Sequence, residues 1–350
     1  MKLLRLILSW IYGFVVALRN MLYEYGFCKS WSPPVSTVCV GNLAVGGTGK
    51  TPHSILLIEQ MKDEFKVAFL SRGYKRKTSG FLLADENATA LTIGDEPMQV
   101  HMRFPDIPVA VCEKRVNGVK QLLKRFPDLD CIILDDALQH RQIKPGYVVL
   151  LTAYDNLYVK DYMLPYGHLR DSRHSSPRAE TIVVTKCPEK MTPIDRRMVY
   201  LDLAVLPYQH LFFTQMHYGE IRPVFDAKLD VQLGECSVCL FTGIASPKYM
   251  QEYLELKVKL LKTIAFPDHH SFTKKDFQRI EKEFGVMPSE NKILLTTEKD
   301  AMRLRCSQYF PEHLKSMVYY LPIEIQVIDN LLDKFIQNIK AYVRENKRNS

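Results

Sequence analysis

Apolar residues along this chain fall into two alternating rhythms. Short β-rich runs at 36–40, 67–71, 109–112, 131–134, 147–151 and 181–185 predict strands. Apolar positions three and four apart predict helices over 50–62, 96–103 and 114–126. Strand and helix in alternation imply a mostly parallel sheet covered on both faces. A second series comes later, with strands at 237–241, 258–264 and 293–296 and helices at 247–255 and 274–284. The runs at 211–216 and 317–321 are expected to pair as linker strands, and 329–346 to close the chain as a helix. The pattern divides the chain into a helical segment over 1–30, a core domain over 31–210, a smaller α/β domain over 211–324 and a C-terminal helix over 325–350. A cleft is expected between the two α/β domains.

The N-terminal segment has its own pattern. No charge lies between Leu6 and Leu18, and Arg5 and Arg19 bracket the run. As a helix this stretch covers only ~20 Å, short of the ~30 Å hydrocarbon core, so a full crossing is not expected. Ala17-Leu18-Arg19-Asn20 lacks the small residues of a signal cleavage site. Wound as a helix, Leu4, Ile7, Leu8, Ile11, Phe14, Val15, Leu18 and Leu22 share one face. Lys2, Arg5, Ser9, Tyr12, Gly13, Arg19 and Asn20 fall mostly on the other. This predicts a helix lying in a membrane surface, cationic side chains toward anionic lipid, with Trp10 and Tyr12 suited to the interface. The plainer alternative packs the same apolar face on the protein's own core.

Composition adds little to fold and something to partners. With 47% apolar and 25% charged residues the chain reads as an ordinary folded protein, and its net charge of +8 favours acidic partners such as phosphates, anionic lipid head groups or nucleic acid, the plainer alternative being a basic surface with no specific partner. The eight cysteines are scattered, several inside apolar runs, as reduced thiols used as small hydrophobes would be. Cys236 and Cys239 form the one C-x-x-C, with no second Cys or His pair nearby, so zinc is not expected.

The chemistry is carried by the first strand and the turn at its end. The apolar run at 36–40 enters Gly41-Asn42-Leu43-Ala44-Val45-Gly46-Gly47-Thr48-Gly49-Lys50-Thr51 at a helix start. A strand, a glycine-rich turn and Gly-Lys-Thr form a phosphate-binding loop, whose amides and helix dipole converge on phosphate oxygens. Ala44, Val45, Gly46, Gly47, Thr48, Gly49, Lys50 and Thr51 are the expected ATP contacts, although the general G-x-x-x-x-G-K-[ST] pattern has Gly where this chain has Ala44. Lys50 would reach the β- and γ-phosphates, and Thr51 would ligate Mg²⁺. The metal also needs a carboxylate from a neighbouring strand. The apolar run at 131–134 ends in Asp135-Asp136, and at least one of these is expected at the metal. The fold class is thus α/β: a P-loop NTPase-like, mostly parallel sheet domain with a second, smaller α/β domain and an N-terminal amphipathic helix.

With those motifs placed, the chain resembles the tetraacyldisaccharide 4'-kinase family of lipid A synthesis. The resemblance runs through Val40-Gly41-Asn42, Gly46-Gly47-Thr48-Gly49-Lys50-Thr51-Pro52, Leu70-Ser71-Arg72-Gly73-Tyr74 and Gly94-Asp95-Glu96-Pro97. It continues in Asp135-Asp136-Ala137-Leu138-Gln139-His140 and Leu164-Pro165-Tyr166-Gly167-His168-Leu169-Arg170. The later half adds Thr242-Gly243-Ile244-Ala245-Ser246-Pro247, Phe266-Pro267-Asp268-His269-His270 and Thr297-Glu298-Lys299-Asp300. The family's loop also lacks Gly at the position of Ala44. Two departures stand out: Ala137 where the family commonly has Gly, and Arg170-Asp171-Ser172 in place of Arg-Glu-Pro.

The resemblance implies transfer of the ATP γ-phosphoryl group to the 4'-hydroxyl of a tetraacylated disaccharide 1-phosphate, giving lipid IVA. It implies a peripheral, monotopic enzyme at the cytoplasmic face of the inner membrane, with that glycolipid and the membrane surface as partners and no nucleic acid. Asp95 becomes the expected base with His269 as its partner, and Glu96 an assistant to the metal. Arg72, Gln139 and Arg170 fall in matched motifs and Asp171 follows one of them, at the departure from Glu; all four are expected near the substrate. Read alone, Asp95 is a helix start and His269 a turn histidine. Two rivals stay open: a P-loop kinase of a soluble metabolite, and a membrane-bound nucleotide switch in which Thr297-Glu298-Lys299-Asp300 imitates the Asn-Lys-x-Asp guanine reader.

Overall fold

The computed structural model describes residues 2–225, 231–244, 247–289 and 291–348; Ala245 and Ser246 of the matched 242–247 motif lie outside the described residues. In chain order, α1 (Lys2–Glu24) leads into β1 (Ser36–Asn42), α2 (Lys50–Met61), β2 (Val67–Ser71) and β3 (Leu82–Leu83). Then come α3 (Ala90–Ile93), α4 (Asp95–Arg103), β4 (Val109–Val111), α5 (Arg115–Arg125), β5 (Cys131–Asp135), β6 (Tyr147–Ala153) and β7 (Thr181–Thr185). They are followed by α6 (Pro193–Leu203), β8 (His210–Tyr218), β9 (Arg222–Pro223), β10 (Ser237–Thr242), α7 (Lys248–Glu255) and β11 (Leu260–Ala265). The chain ends with α8 (Lys274–Gly285), β12 (Lys292–Thr297), α9 (Glu298–Arg305), β13 (Val318–Leu321), β14 (Ile323–Val327) and α10 (Leu332–Arg348).

The main sheet has nine strands in the order β14-β8-β7-β6-β1-β5-β2-β4-β3. Its centre is parallel, with Val40 level with Asp135 across β1 and β5. β1 and β5 are buried along their whole length, as unalternating apolar runs require when helices cover both faces. One face packs Ile55, Leu57, Ile58 and Met61 of α2 and Phe335, Ile339 and Val343 of α10; the other packs Val119 and Leu122 of α5 and Val199 and Leu203 of α6. The second sheet, β11-β10-β12-β13-β9, has five strands. Its core takes in Ile93 and Met98 from the first domain beside Phe241, Phe277 and Met302, so the two domains share packed apolar surface.

The expected pairing of 211–216 with 317–321 does not form. β8 pairs instead with β14, Met216 opposite Ile325, while β13 runs inside the second sheet beside β12. The reason is visible in the side chains. Val318–Leu321 is buried on both faces, whereas Ile323, Ile325 and Val327 alternate with Glu324 and Gln326 as a one-sided edge strand does.

The N-terminal helix also departs from expectation. It runs 23 residues, ~34 Å, and is long and apolar enough to cross a membrane by length and composition. Its polar side is divided: Lys2 and Arg5 are exposed, while the middle and end turn inward. Ser9, Val16 and Asn20 are buried against the core domain, where Ser9 Oγ donates to Met163 O (2.6 Å) and Tyr12 Oη to Arg170 O (3.1 Å). Those bonds lay the helix along the body. The apolar side is left bare, with Leu3, Leu4, Ile7, Trp10, Ile11, Phe14 and Val15 all half or more exposed. The bare apolar stripe is compatible with the membrane-surface reading, and the burial of Ser9 and Asn20 against protein is the part not read from the sequence.

Candidate active site

The loop after β1 is built for a tight turn at a helix start. Gly46 (φ 108°) and Gly49 (φ 85°) occupy left-handed backbone that only glycine enters freely. Asn42 Nδ2 donates to Thr48 Oγ1 at 2.8 Å, fixing the turn from below. His53 locks it from α2: Nδ1 lies 2.7 Å from Gly49 O and so donates, leaving Nε2 to accept from Thr214 Oγ1 at 3.1 Å. Burial pushes the His53 ring down to about 4, so it is neutral there. The first two residues of the expected ATP-contact stretch also make backbone contacts. Val45 N donates to His168 O (2.8 Å) and Ala44 forms an isolated antiparallel bridge with Leu169, so the backbone of residues 44 and 45 pairs with the 168–169 segment. A strand-like Ala44 has no need of glycine's freedom.

Lys50 Nζ sits 3.5 Å from Asn42 Oδ1 and 3.9 Å from Asp136 Oδ2. The two aspartates after β5 have different surroundings. Asp136, in left-handed backbone (φ 48°), takes the Arg170 guanidinium, with Nη1 at 2.9 Å and Nη2 on its other oxygen. Burial would raise this carboxyl, but the Lys50 charge and the Arg170 hydrogen bond outweigh it and hold it low. Asp135 is 1% exposed; Ser71 Oγ donates to Oδ2 at 3.2 Å, and Oδ1 has no protein partner. Burial first, then the nearby Glu96 and Asp136 charges, push it up to about 7.

Among the described residues no three His, Cys, Asp or Glu side chains form a ready metal cage. Mg²⁺ does not need one, since it keeps waters and takes one or two carboxylates beside phosphate oxygens. A buried carboxylate with an orphaned oxygen, burdened by two like charges, fits such a cation. Asp135 therefore suits Mg²⁺ better than Asp136, whose oxygens already hold arginine. Glu96 faces the same region but pairs with Lys299 (2.5 Å).

The second group of charges lies across the domain boundary. Asp95 opens α4, 5% exposed, with Oδ1 accepting from Glu96 N (2.9 Å). His269 Nδ1 is 3.0 Å from Asp95 Oδ2, and Arg303 Nε 3.1 Å from the same oxygen. Burial works to raise the Asp95 carboxyl; the His269 hydrogen bond and the Lys299 and Arg303 charges overcome it and hold the group well below the usual range. His269 also sits in left-handed backbone (φ 57°), with the Tyr74 ring edge-on at 5.3 Å. Glu298 and Arg103 clasp the domains beside this group through two 2.8 Å bonds.

Arg303 is the residue sequence reading missed. Its signal was its place three residues after Asp300 on one helix face, where it meets Asp300 Oδ1 at 2.8 Å. Asp300 is fully buried and accepts from Thr242 Oγ1 (2.8 Å), Gly243 N (3.0 Å) and Thr297 Oγ1 (2.7 Å). The Thr297–Asp300 motif is thus a scaffold for Arg303 and the 243 turn, and Asp300 has no carboxylate edge free to read a base. Of the remaining candidates, Arg72 is exposed at the end of β2, and Gln139 Nε2 donates to Asn42 O at 2.8 Å. Asp171 is 0% exposed and turned under α1, where Asn20 Nδ2 donates to it at 2.8 Å.

Comparison with known proteins finds relatives along almost the whole chain. The family model for tetraacyldisaccharide-1-P 4'-kinase matches residues 1–341. The tetraacyldisaccharide 4'-kinase of Bacteroides thetaiotaomicron is 45% identical, with 98% of this chain and 93% of that protein covered. The Flavobacterium johnsoniae enzyme of the same name is 42% identical, with 99% of each covered. A crystal structure of LpxK from Aquifex aeolicus, in complex with ATP, superposes with a TM-score of 0.72 at 29% identity, covering 95% of this chain and 98% of that one. The chain belongs to the tetraacyldisaccharide-1-P 4'-kinase family.

Proposed function

We propose that this protein transfers the γ-phosphoryl group of ATP to the 4'-hydroxyl of a tetraacylated disaccharide 1-phosphate, which it meets at a membrane surface. The observation that carries the reading is the Asp95–His269 pair, 3.0 Å apart and contributed by two domains, set beside a phosphate-binding loop and its carboxylates. Phosphoryl transfer asks a protein mainly for positioning and charge stabilisation. The amides of 46–51 and the Lys50 ammonium hold the phosphates. Asp135 and Thr51, with Glu96 close by, would hold Mg²⁺, which neutralises phosphate charge when bound. Asp95 stays ionised at neutral pH and accepts the acceptor hydroxyl's proton late in a loose transition state. Its hydrogen bond to His269 Nδ1 orients the ring to share that proton. Arg303 keeps the carboxylate charged and aimed.

The bare apolar face of α1 supports a membrane partner over a soluble acceptor. About ten large apolar side chains along one helix, including Trp10, have no protein to cover them. ATP supply puts the working side at the cytoplasmic face of the inner membrane. The test is incubation with γ-labelled ATP and the acylated disaccharide 1-phosphate in mixed micelles. Label should appear in a bisphosphorylated glycolipid. Slow hydrolysis to free phosphate with no labelled lipid would mean a nucleotide switch instead.

A further inference from the structure

We infer that α1 is also a positioning element of the phosphate site: Asn20 and Tyr12 hold the 170–171 segment so that Arg170 grips Asp136 and Asn42. A helix whose whole task was to float on lipid would have no reason to bury polar side chains in protein. Here Asn20 is 6% exposed and Ser9 4%. Asn20 Nδ2 donates to Asp171 Oδ1 at 2.8 Å and lies 3.3 Å from Ser175 Oγ. Ser172 N also donates to Asp171 Oδ1 (2.8 Å), and Arg178 (3.5 Å) and Arg19 (3.7 Å) lie beside Oδ2, so α1 supplies one hydrogen bond and one of the two nearby positive charges.

One residue earlier the chain becomes part of the site. Arg170 is held by its backbone from both sides: its carbonyl accepts from Tyr12 Oη (3.1 Å), and its N–H donates to Leu43 O (2.9 Å) at the start of the loop. Its guanidinium reaches Asp136 at 2.9 Å and Asn42 Oδ1 at 2.6 Å. Asn42 in turn holds Thr48 and contacts Lys50. A continuous polar path therefore runs from the buried side of α1 to the loop lysine. A planar guanidinium meets two partners only when its backbone is fixed, and a shift of ~1 Å in such a group costs up to about 100-fold in rate. Asn20 and Tyr12 are positioning residues, acting through Arg170.

The inference rests on reading the loop and Asp136 as the phosphate site; it does not depend on membrane binding. The test uses the full-length chain carrying Asn20→Asp, Asp171→Asn, the two together, or Tyr12→Phe. Four quantities are read: lipid phosphorylation in micelles, binding of a fluorescent ATP analogue without lipid, sedimentation with anionic vesicles, and Tm. Asn20→Asp sets two carboxylates face to face and should lower kcat about 10- to 100-fold and weaken analogue binding. The double variant restores one carboxylate and one amide and should recover most of both. Tyr12→Phe should lower kcat by about threefold with Tm unchanged. Sedimentation should be equal for all, because Asn20 faces protein. Full kcat in Asn20→Asp or Tyr12→Phe overturns the inference, as does a double variant that regains Tm without regaining kcat. If wild type makes no lipid product, the kinase reading has failed, and analogue binding still decides the coupling.

Discussion

Replacing Arg303 by Met removes the guanidinium but keeps most of the apolar stem. In the wild type that group meets Asp95 Oδ2 through Nε (3.1 Å) and Nη2, Asp300 Oδ1 (2.8 Å) and Gly243 O (3.2 Å). Asp95 and Asp300 are 5% and 0% exposed, so their charges cannot turn to water. Breaking a buried pair by deleting one partner costs about 3–5 kcal/mol. His269 and Lys299 still serve Asp95, and three donors still serve Asp300, so the lower end, about 3 kcal/mol at pH 7.5, is expected. The pH dependence identifies the cause. Wild-type Asp95 is held below its unfolded value, so its stabilisation is complete above ~4 and is lost only as pH falls through the folded pKa. In the variant, burial wins more of the contest and the folded pKa rises. The variant then takes up a proton as pH falls through that raised value, and the stability gap narrows by up to ~1.4 kcal/mol per pH unit. Urea unfolding from pH 8 to pH 4 measures this. A gap under ~1 kcal/mol at pH 7.5, or one that stays constant down to pH 4, would refute the ion-pair account.

Lys50→Ala should reduce turnover more than about 100-fold, since no other cation lies in the loop to take its place; retained activity in the lipid-phosphorylation assay would remove the loop as the phosphate cradle. Asp135 has a folded pKa pushed up to about 7, which destabilises the protein increasingly as pH rises from ~4 through 7. Asp135→Asn should therefore raise stability at pH 8 by roughly 1–3 kcal/mol while abolishing the Tm increase expected of wild type with Mg²⁺ and ATP. Unchanged stability, or a preserved Mg²⁺ response, would contradict that placement. Ile7, Ile11 and Phe14 are at least half exposed, so changing all three to Ser should leave Tm within a degree or two. The same change should weaken vesicle sedimentation more than about 100-fold, at ~1.5 kcal/mol or more per lost side chain.

Much of the core was legible because its signals are local. β1 and β5 read as strands from their unbroken apolar runs, and Asp135 and Lys50 are placed by where strands end and helices start. Asp95 and His269 are 174 positions apart, and nothing in either local pattern says they meet at 3.0 Å. Only the family resemblance joined them. Arg303 escaped because a charged residue on an amphipathic helix looks like solvated surface until the opposite domain is in place. The β8–β14 pairing was misassigned although the alternation at 323–327 carried it. For α1 the two faces were separated correctly, and the apolar face is bare, compatible with the membrane-surface reading; the burial of Ser9 and Asn20 was not legible, because hydrophobic periodicity marks which residues share a side and is silent on which polar ones meet protein.

The central claim is that Asp95, paired with His269, takes the acceptor's proton beside the loop that holds ATP. Single-turnover transfer from labelled ATP to the acylated disaccharide 1-phosphate, comparing wild type with Asp95→Asn, tests it most directly. The account predicts label on the glycolipid with wild type, a loss of about 100-fold or more in the transfer rate with Asp95→Asn, and nucleotide affinity within a few-fold of wild type. Transfer at the full rate by Asp95→Asn would contradict it.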